Sequence, residues 1–247
     1  MNPSLPEHRE SSVPADLSST YQSKPGIFNI PQFSPGVTAA FSSRLYTEST
    51  APQFVQSLSL DPSLYYKPKQ VHGDDILILE KGNEFSPDVE ADGVMTVKPG
   101  LVLGIKTADC IPAFYWDPVR KAAGLAHAGW RGLHKGILTK MASLFKSRFY
   151  SNMADLQIVF GPAAGVCCYE TGPEFADYFP GFFKPKSNGK GMTDLISAAR
   201  AQLVSEGIRP SNINSMNICT VCRSDEFYSA RKGAETERIL SVISIRS

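Results

Sequence analysis

The chain has 247 residues, long enough for one large domain or two small ones, and 42% of them are hydrophobic, ample material for a packed core. Its 25 Lys and Arg nearly cancel 24 Asp and Glu, which argues against nucleic acid or an anionic membrane as the main partner, because both demand clustered cations. A small molecule is the expected partner, and a monomer is expected. No run approaches the roughly 20 apolar residues of a membrane helix, and the opening MNPSLPEHRESSVPADLSS lacks the apolar segment of a signal peptide, so a cytoplasmic location is expected. Five cysteines in such a chain read as thiols or metal ligands rather than a disulfide framework.

Residues 1–26 are rich in Ser, Pro and charge without apolar periodicity, which predicts a mobile tail ahead of a single domain over 27–247. From Asp75 onward, short apolar runs alternate with turn signals. DDILILE, GVMTV, LVLGIKT, IPAFYW and KAAGLAHAG all read as strands. Between Gly136 and Tyr150 the pattern changes: Ile137, Leu138, Met141, Leu144, Phe145 and Phe149 share one helical face. A second helix is predicted with Thr193 as N-cap, Asp194 in its first turn and its end near Gly207, burying Leu195, Ile196, Ala199, Leu203 and Val204. Strands are expected again over about 214–220 and 237–244. Clustered strands with few helices between them favour a mixed α+β layout over regular βαβ winding.

Only four histidines exist, and His8 falls in the expected tail, leaving His72, His127 and His134. His72 in KQVHGDD, Cys110 in KTADC and His127 in LAHAGWRG all sit at predicted strand ends, which converge in space. Two imidazoles and a thiolate suit zinc, and three protein ligands leave a fourth tetrahedral position open, as catalytic sites do. The alternative is three unconnected core residues, since no H-x-x-x-H or paired C-x-x-C brackets them. No second complete ligand set is evident, so one zinc per chain is expected. Cys219 and Cys222 form a lone C-x-x-C that reads as a structural thiol pair, and Cys167 with Cys168, being adjacent, are not expected to share an ion. Gln70, two residues before His72, would share its side of a strand and orient a ligand or substrate.

The segments KQVHGDD, ADGVMTVKPGLVLGIKTADCIPAFYWD, AAGLAHAGWRG, FGPAAGVCCYE and CTVCRSDEFYSARK occur in the order found in YfiH-like proteins, and from about Arg44 onward the chain resembles that family. The resemblance implies an α+β domain with mixed sheets and a catalytic metal held at the positions of His72, Cys110 and His127. It further implies action on purine nucleosides: phosphorolysis of adenosine, inosine and 5'-methylthioadenosine to base and pentose 1-phosphate, and deamination of adenosine to inosine. Phosphorolysis needs a group that binds a phosphate dianion, for which Arg44 and Arg131 are the candidates. Arg44 matches an Arg of the family's N-terminal element, although SSRLYTEST departs from its glycine-rich continuation. The ending FYSARK departs from the family's aromatic and double-Arg pattern at Ala230 and Lys232. Asp109, next to Cys110, would point to the opposite face of an extended strand, so support of the ligand is expected of it rather than proton transfer.

Three rival functions stand beside this reading. Many relatives carry a polyphenol oxidase or laccase label, but a four-copper centre needs about ten imidazoles, far beyond this chain's histidines, so copper is expected only as an in vitro side activity. A cysteine hydrolase with Cys110 as nucleophile, including editing of peptidoglycan precursors, is the second. A non-catalytic, zinc-stabilised interaction protein is the third.

Overall fold

Layers in this chain follow from strands that are apolar on both faces, so each sheet must be covered twice. The computed structural model describes residues 22–33, 35–80, 86 and 88–246. β1 (Gln22–Lys24), β2 (Ile27–Asn29) and β3 (Val37–Ser42) lead into helix α1 (Ala51–Ser57) and the short β4 (Tyr65–Tyr66). The strand-rich centre comprises β5 (Ile76–Ile78), β6 (Gly93–Thr96), β7 (Val102–Thr107), β8 (Ile111–Asp117) and β9 (Ala122–Ala128). Helices α2 (Trp130–His134) and α3 (Ile137–Arg148) precede β10 (Gln157–Phe160), β11 (Glu170–Thr171), α4 (Phe175–Tyr178), β12 (Phe183–Pro185) and β13 (Gly191–Thr193). The chain continues through α5 (Leu195–Ser205) and β14 (Ile213–Ser215) to β15 (Ile239–Ile245).

One six-stranded mixed sheet has the order β1-β2-β3-β15-β7-β4, a second has β14-β10-β8-β9-β6-β5, and a small third has β11-β13-β12. The two large sheets face each other. Phe28, Phe41, Leu103, Ile105 and Ile243 of the first pack with Val94, Phe114, Trp116, Leu125 and Val159 of the second. Alternation assigns the opposite faces: Val102, Leu240 and Val242 pack under α1 through Phe54 and Val55. On the far side, Ile111, Ala113, Tyr115 and Ala126 pack under α3 and α5. Small residues on β9 let α3 come close; a Cβ on Gly124 would stand 3.0 Å from the Phe145 ring. The result is one α+β domain of mixed sheets with few helices, as predicted.

The five central strands and β15 occupy their predicted segments. Helix α3 carries the expected buried face, with Phe149 just beyond its end as C-cap. Helix α5 corrects the predicted start. Its N-cap is Asp194, whose carboxylate accepts from Ser197 N at 2.9 Å and Ser197 Oγ at 2.7 Å. Thr193 lies in β13 instead, its hydroxyl 2.6 Å from that of Thr171. Val204 is exposed rather than buried, while Ala198 takes a core position. Of the expected N-terminal tail, residues 1–21 lie outside the described residues, and Gln22–Lys24 pair with β2.

Candidate active site

Ladder register brings the predicted trio together. β8 and β9 are antiparallel with Ile111 opposite Ala128 and Pro112 opposite His127, so the start of one strand lies beside the end of the other. β6 runs antiparallel to β9 with Gly93 opposite Ala126, and β5 pairs with β6 through Ile76 and Gly93, which places the loop before β5 at the same corner. Ala108–Cys110 is the crossover between the two large sheets, from β7 in one to β8 in the other. The ligand atoms of His72, Cys110 and His127 lie within 4.8 Å of one another, and the two imidazoles meet edge to face with centroids 4.7 Å apart.

Two of the residues at this corner adopt left-handed backbone, His72 at φ 60° and Asp109 at φ 81°. His and Asp tolerate this region better than most residues, and such strain persists only where surrounding bonds hold it. For His72 the hold is Asp92, a fully buried carboxylate that accepts from the backbone N–H of Val71 (3.1 Å), His72 (3.0 Å) and Gly73 (2.7 Å). The same carboxylate lies 2.7 Å from His127 Nδ1, which fixes that nitrogen as donor and leaves Nε2 free to ligate. Burial pushes the Asp92 carboxyl up, but His127 and the amides of Gly73 and Val71 outweigh it and hold the group below the usual carboxylate range.

For Asp109 the hold is a set of loop contacts. Its carboxylate accepts from Thr220 Oγ1 at 2.6 Å and Arg231 N at 2.9 Å, and its carbonyl accepts from Ala164 N at 2.9 Å. It sits in a turn, not in the extended strand from which the sequence argument placed it. Gly129 is required by close approach: a Cβ there would lie 3.0 Å from His72 Cδ2 and 3.1 Å from Cys110 Sγ.

The donor chemistry fits a metal. Burial raises the Cys110 thiol, but the adjoining His127 and His72 imidazoles overcome this and bring it down to about 6, so the sulfur is a thiolate at neutral pH. Burial lowers His127, and Asp92 and the Cys110 sulfur reverse that, raising it to about 9 when no ion is bound. Deprotonated sulfur and two imidazoles within a few ångströms match the ligand types and spacing of a tetrahedral zinc site.

The trio opens into a pocket of about 400 Å³, within the usual range for small-molecule sites. Its walls include Gln70, Lys106, Trp130, Tyr169, Arg231 and Arg238. Gln70 is present, yet both atoms of its amide pair with the Lys106 backbone, each at 2.8 Å, so it fastens the His72 loop to β7. The two arginines expected from the sequence are elsewhere. Arg44 donates to Ser224 O and lies over the Tyr228 ring in a neighbouring cavity. Arg131 is exposed and stacks on Trp130, 4.5 Å from the ring centroid. The pocket's own arginines were missed: Arg231 donates to Glu170 O and lies 4.3 Å over the Tyr169 ring, and Arg238 donates to the carbonyls of Ala234, Glu235 and Glu237. Among the described residues neither pairs with a carboxylate, so both charges remain available.

A family model described as multi-copper polyphenol oxidoreductase laccase matches residues 47–246. The chain belongs to this family. Among its relatives, the purine nucleoside phosphorylase YlmD of Geobacillus stearothermophilus is 34% identical over 194 residues, covering 72% of this chain and 71% of the relative. The purine nucleoside phosphorylase of Aquifex aeolicus is 35% identical over 181 residues, 73% of this chain and 82% of the relative. A human purine nucleoside phosphorylase is 32% identical over 191 residues, 74% of this chain, but the chain spans only 44% of that protein's length. The crystal structure of the hypothetical protein YfiH of Bacillus licheniformis superposes with a TM-score of 0.85 at 28% identity, covering 91% of this chain and 98% of the other. That of Geobacillus stearothermophilus YlmD gives 0.84 at 27% identity, covering 92% and 98%. The motif resemblance to YfiH-like proteins thus holds for the family and for the fold.

Proposed function

We propose that the chain is a zinc-dependent purine nucleoside phosphorylase that cleaves adenosine, inosine and 5'-methylthioadenosine to base and pentose 1-phosphate, and that the same pocket deaminates adenosine to inosine. The observation that carries this reading is the opening of a His72–Cys110–His127 donor set into the pocket that also holds two arginines without carboxylate partners among the described residues. Relatives named purine nucleoside phosphorylase support it. The laccase description of the family fits poorly with the donors at hand: two imidazoles meet in this site, and His134 packs instead against Tyr178 and Phe179.

A zinc ion held by His72, Cys110 and His127 would supply Lewis acidity at the pocket floor. The chain's own groups do the rest. Arg231 and Arg238, rather than Arg44 or Arg131, hold the phosphate dianion, whose attack on C1' of the ribose they favour by bringing anion and sugar together. Tyr169 keeps Arg231 in place through its ring face, and Asp109 fixes the Arg231 backbone. Asp92 keeps His127 in the tautomer that presents Nε2. Deamination has no phosphate in its transition state, so the arginines stabilise only the phosphorolytic one.

Chromatography of products from adenosine tests this. Adenine and ribose 1-phosphate are expected only with phosphate present, inosine with or without it, and neither from Cys110→Ala. Ala at 72, 110 or 127 should each strip most of the metal bound at this trio, and full retention there in all three sinks the assignment. A second reading rests on the acidity of Cys110 beside His127, the pairing of a cysteine hydrolase, including one that edits peptidoglycan precursors. Turnover that survives metal removal but not alkylation of Cys110 would favour it.

A further inference from the structure

The four remaining cysteines, separate features in the sequence, meet in space. Cys167 and Cys168 lie in the loop between β10 and β11, and Cys219 and Cys222 in the loop between β14 and β15. The loops run side by side, joined by Ala163 N to Ile218 O at 3.1 Å and Thr220 N to Ala163 O at 3.0 Å. All four sulfurs fall within 4.8 Å of one another, with Cys222 Sγ 3.6 Å from Cys167 Sγ and 3.4 Å from Cys168 Sγ. A tetrahedron with zinc–sulfur bonds of about 2.3 Å spaces its sulfurs about 3.8 Å apart. The observed spacing is of that size and well beyond the ~2.05 Å of a disulfide.

Two further features belong to a built thiolate site. The backbone N–H of Gly165 donates to Cys219 Sγ at 3.3 Å, the kind of bond that steadies a metal-bound sulfur. A Cβ at Gly165 would stand 3.3 Å from Cys167 Sγ and 3.6 Å from Cys219 Sγ, so glycine is what lets that amide approach. The cluster is separate from the pocket that holds Cys110: none of its cysteines lines that pocket.

We propose that Cys167, Cys168, Cys219 and Cys222 form a second metal site, a closed four-thiolate zinc centre that staples the β10–β11 loop to the β14–β15 loop. Four soft donors with no vacant position select a d¹⁰ ion in a structural role. Binding displaces the four thiol protons to solvent and leaves a tetrathiolate complex, with no change of oxidation state. This corrects the expectation of one ligand set per chain. The first loop leads into Tyr169, and the second carries Thr220, which holds Asp109, and continues to Arg231. The ion would therefore pin both residues of the Tyr169–Arg231 contact on the pocket wall, whatever reaction the pocket performs.

The test uses the full chain loaded with zinc, or with cobalt as a spectroscopic probe. Wild type is expected to carry one ion more per chain than Cys219→Ser/Cys222→Ser, and Cys110→Ala is expected to keep that ion. Cobalt-loaded wild type and Cys110→Ala should both show the intense sulfur-to-cobalt charge transfer and the d–d bands of a four-sulfur tetrahedron. Wild type alone can overturn the proposal, so it does not hang on a variant that fails to fold. Absence of the four-sulfur spectrum, with these cysteines reacting freely with a thiol reagent or mapped as disulfides, would do so. Loss of the spectrum in Cys110→Ala would also overturn it, by assigning the sulfur signal to the other centre.

Discussion

Asp92 is the group on which both imidazoles of the trio depend, and removing it should be felt twice. In Asp92→Ala the His127 Nδ1–H and the three amides of residues 71–73 lose their acceptor. His127 is 3% exposed, so water cannot replace the carboxylate there, whereas the 71–73 backbone is open enough for water to serve. Breaking one buried charged pair costs about 3–5 kcal/mol, which is the expected loss in stability for the chelator-stripped protein. Asp92→Asn keeps one oxygen but turns an NH₂ toward two donors, and at about 1–3 kcal/mol for a buried group left unsatisfied it should lose roughly half as much. Metal affinity should fall by about 10- to 100-fold in both variants, because His127 loses its tautomer and His72 its left-handed turn. Urea unfolding of stripped protein and competitive zinc titration read the two effects separately. An Asp92→Asn protein with wild-type midpoint and wild-type affinity would refute the role assigned to this carboxylate.

Other consequences are as direct. Gly129→Ala should weaken metal binding by roughly tenfold or more, since its Cβ would press on both His72 and Cys110, and the same titration checks it. Arg231→Ala should raise KM for phosphate by roughly 10- to 100-fold, the equivalent of losing charged hydrogen bonds at about 1.5–3 kcal/mol. Arg131→Ala, stacked outside the pocket, should leave that KM unchanged in a steady-state assay. In metal-free protein the Cys110 thiol is lowered from 9.0 to about 6, so its stabilising contribution is full above the unfolded value and lost as pH falls through about 6. His127, raised from 6.5 to about 9, contributes fully below its unfolded value and loses that as pH rises through about 9. Cys110 alkylation should therefore rise through about pH 6 and the pair should be most stabilising between about 6 and 9; an alkylation midpoint near an ordinary thiol's would refute the pairing. Phe145→Ala, fully buried against Tyr115 and β9, should cost about 3–5 kcal/mol in denaturant unfolding.

The trio was legible because its members stand at the ends of recognisable strands within distinctive motifs, and register does the rest. Asp92 stood in plain view in ADGVMTV, but nothing in a sequence says that a carboxylate beside a strand turns inward to collect three amides and an imidazole. In the sequence Arg44 stands out by residue type and by its match to the family's N-terminal element, and Arg131 by residue type and by its place in the LAHAGWRG turn. Arg131 was lost to the pocket because a guanidinium beside Trp130 gains by stacking on it. Arg231 lies in the FYSARK segment, and only the turn that bonds its amide to Asp109 reveals that it faces the pocket. The thiol cluster was hidden because its two halves are about fifty residues apart and become neighbours only through the parallel pairing of β10 and β14. The strand β3 and helix α1 had no strong periodic signal; what defines them is the partner surface, β15 for one and the outer face of that sheet for the other.

The crossover at Ala108–Cys110 has a consequence for the order of events during folding. His127 ends β9 and Cys110 directly precedes β8, neighbours in one sheet, but the left-handed turn at Asp109 that presents Cys110 is held by Thr220 and Arg231, more than a hundred residues further along the chain. Contacts between distant parts of a chain form late, because loop closure must be met before they are rewarded. Cys110 is therefore fixed in position only after the segment that carries Thr220 and Arg231 has docked on the crossover. At this site an incompletely folded chain offers two imidazoles and a wandering thiol, a poor trap for an ion. Tight metal capture at the trio would then be a certificate of finished folding, and zinc uptake there during refolding should lag behind the appearance of secondary structure.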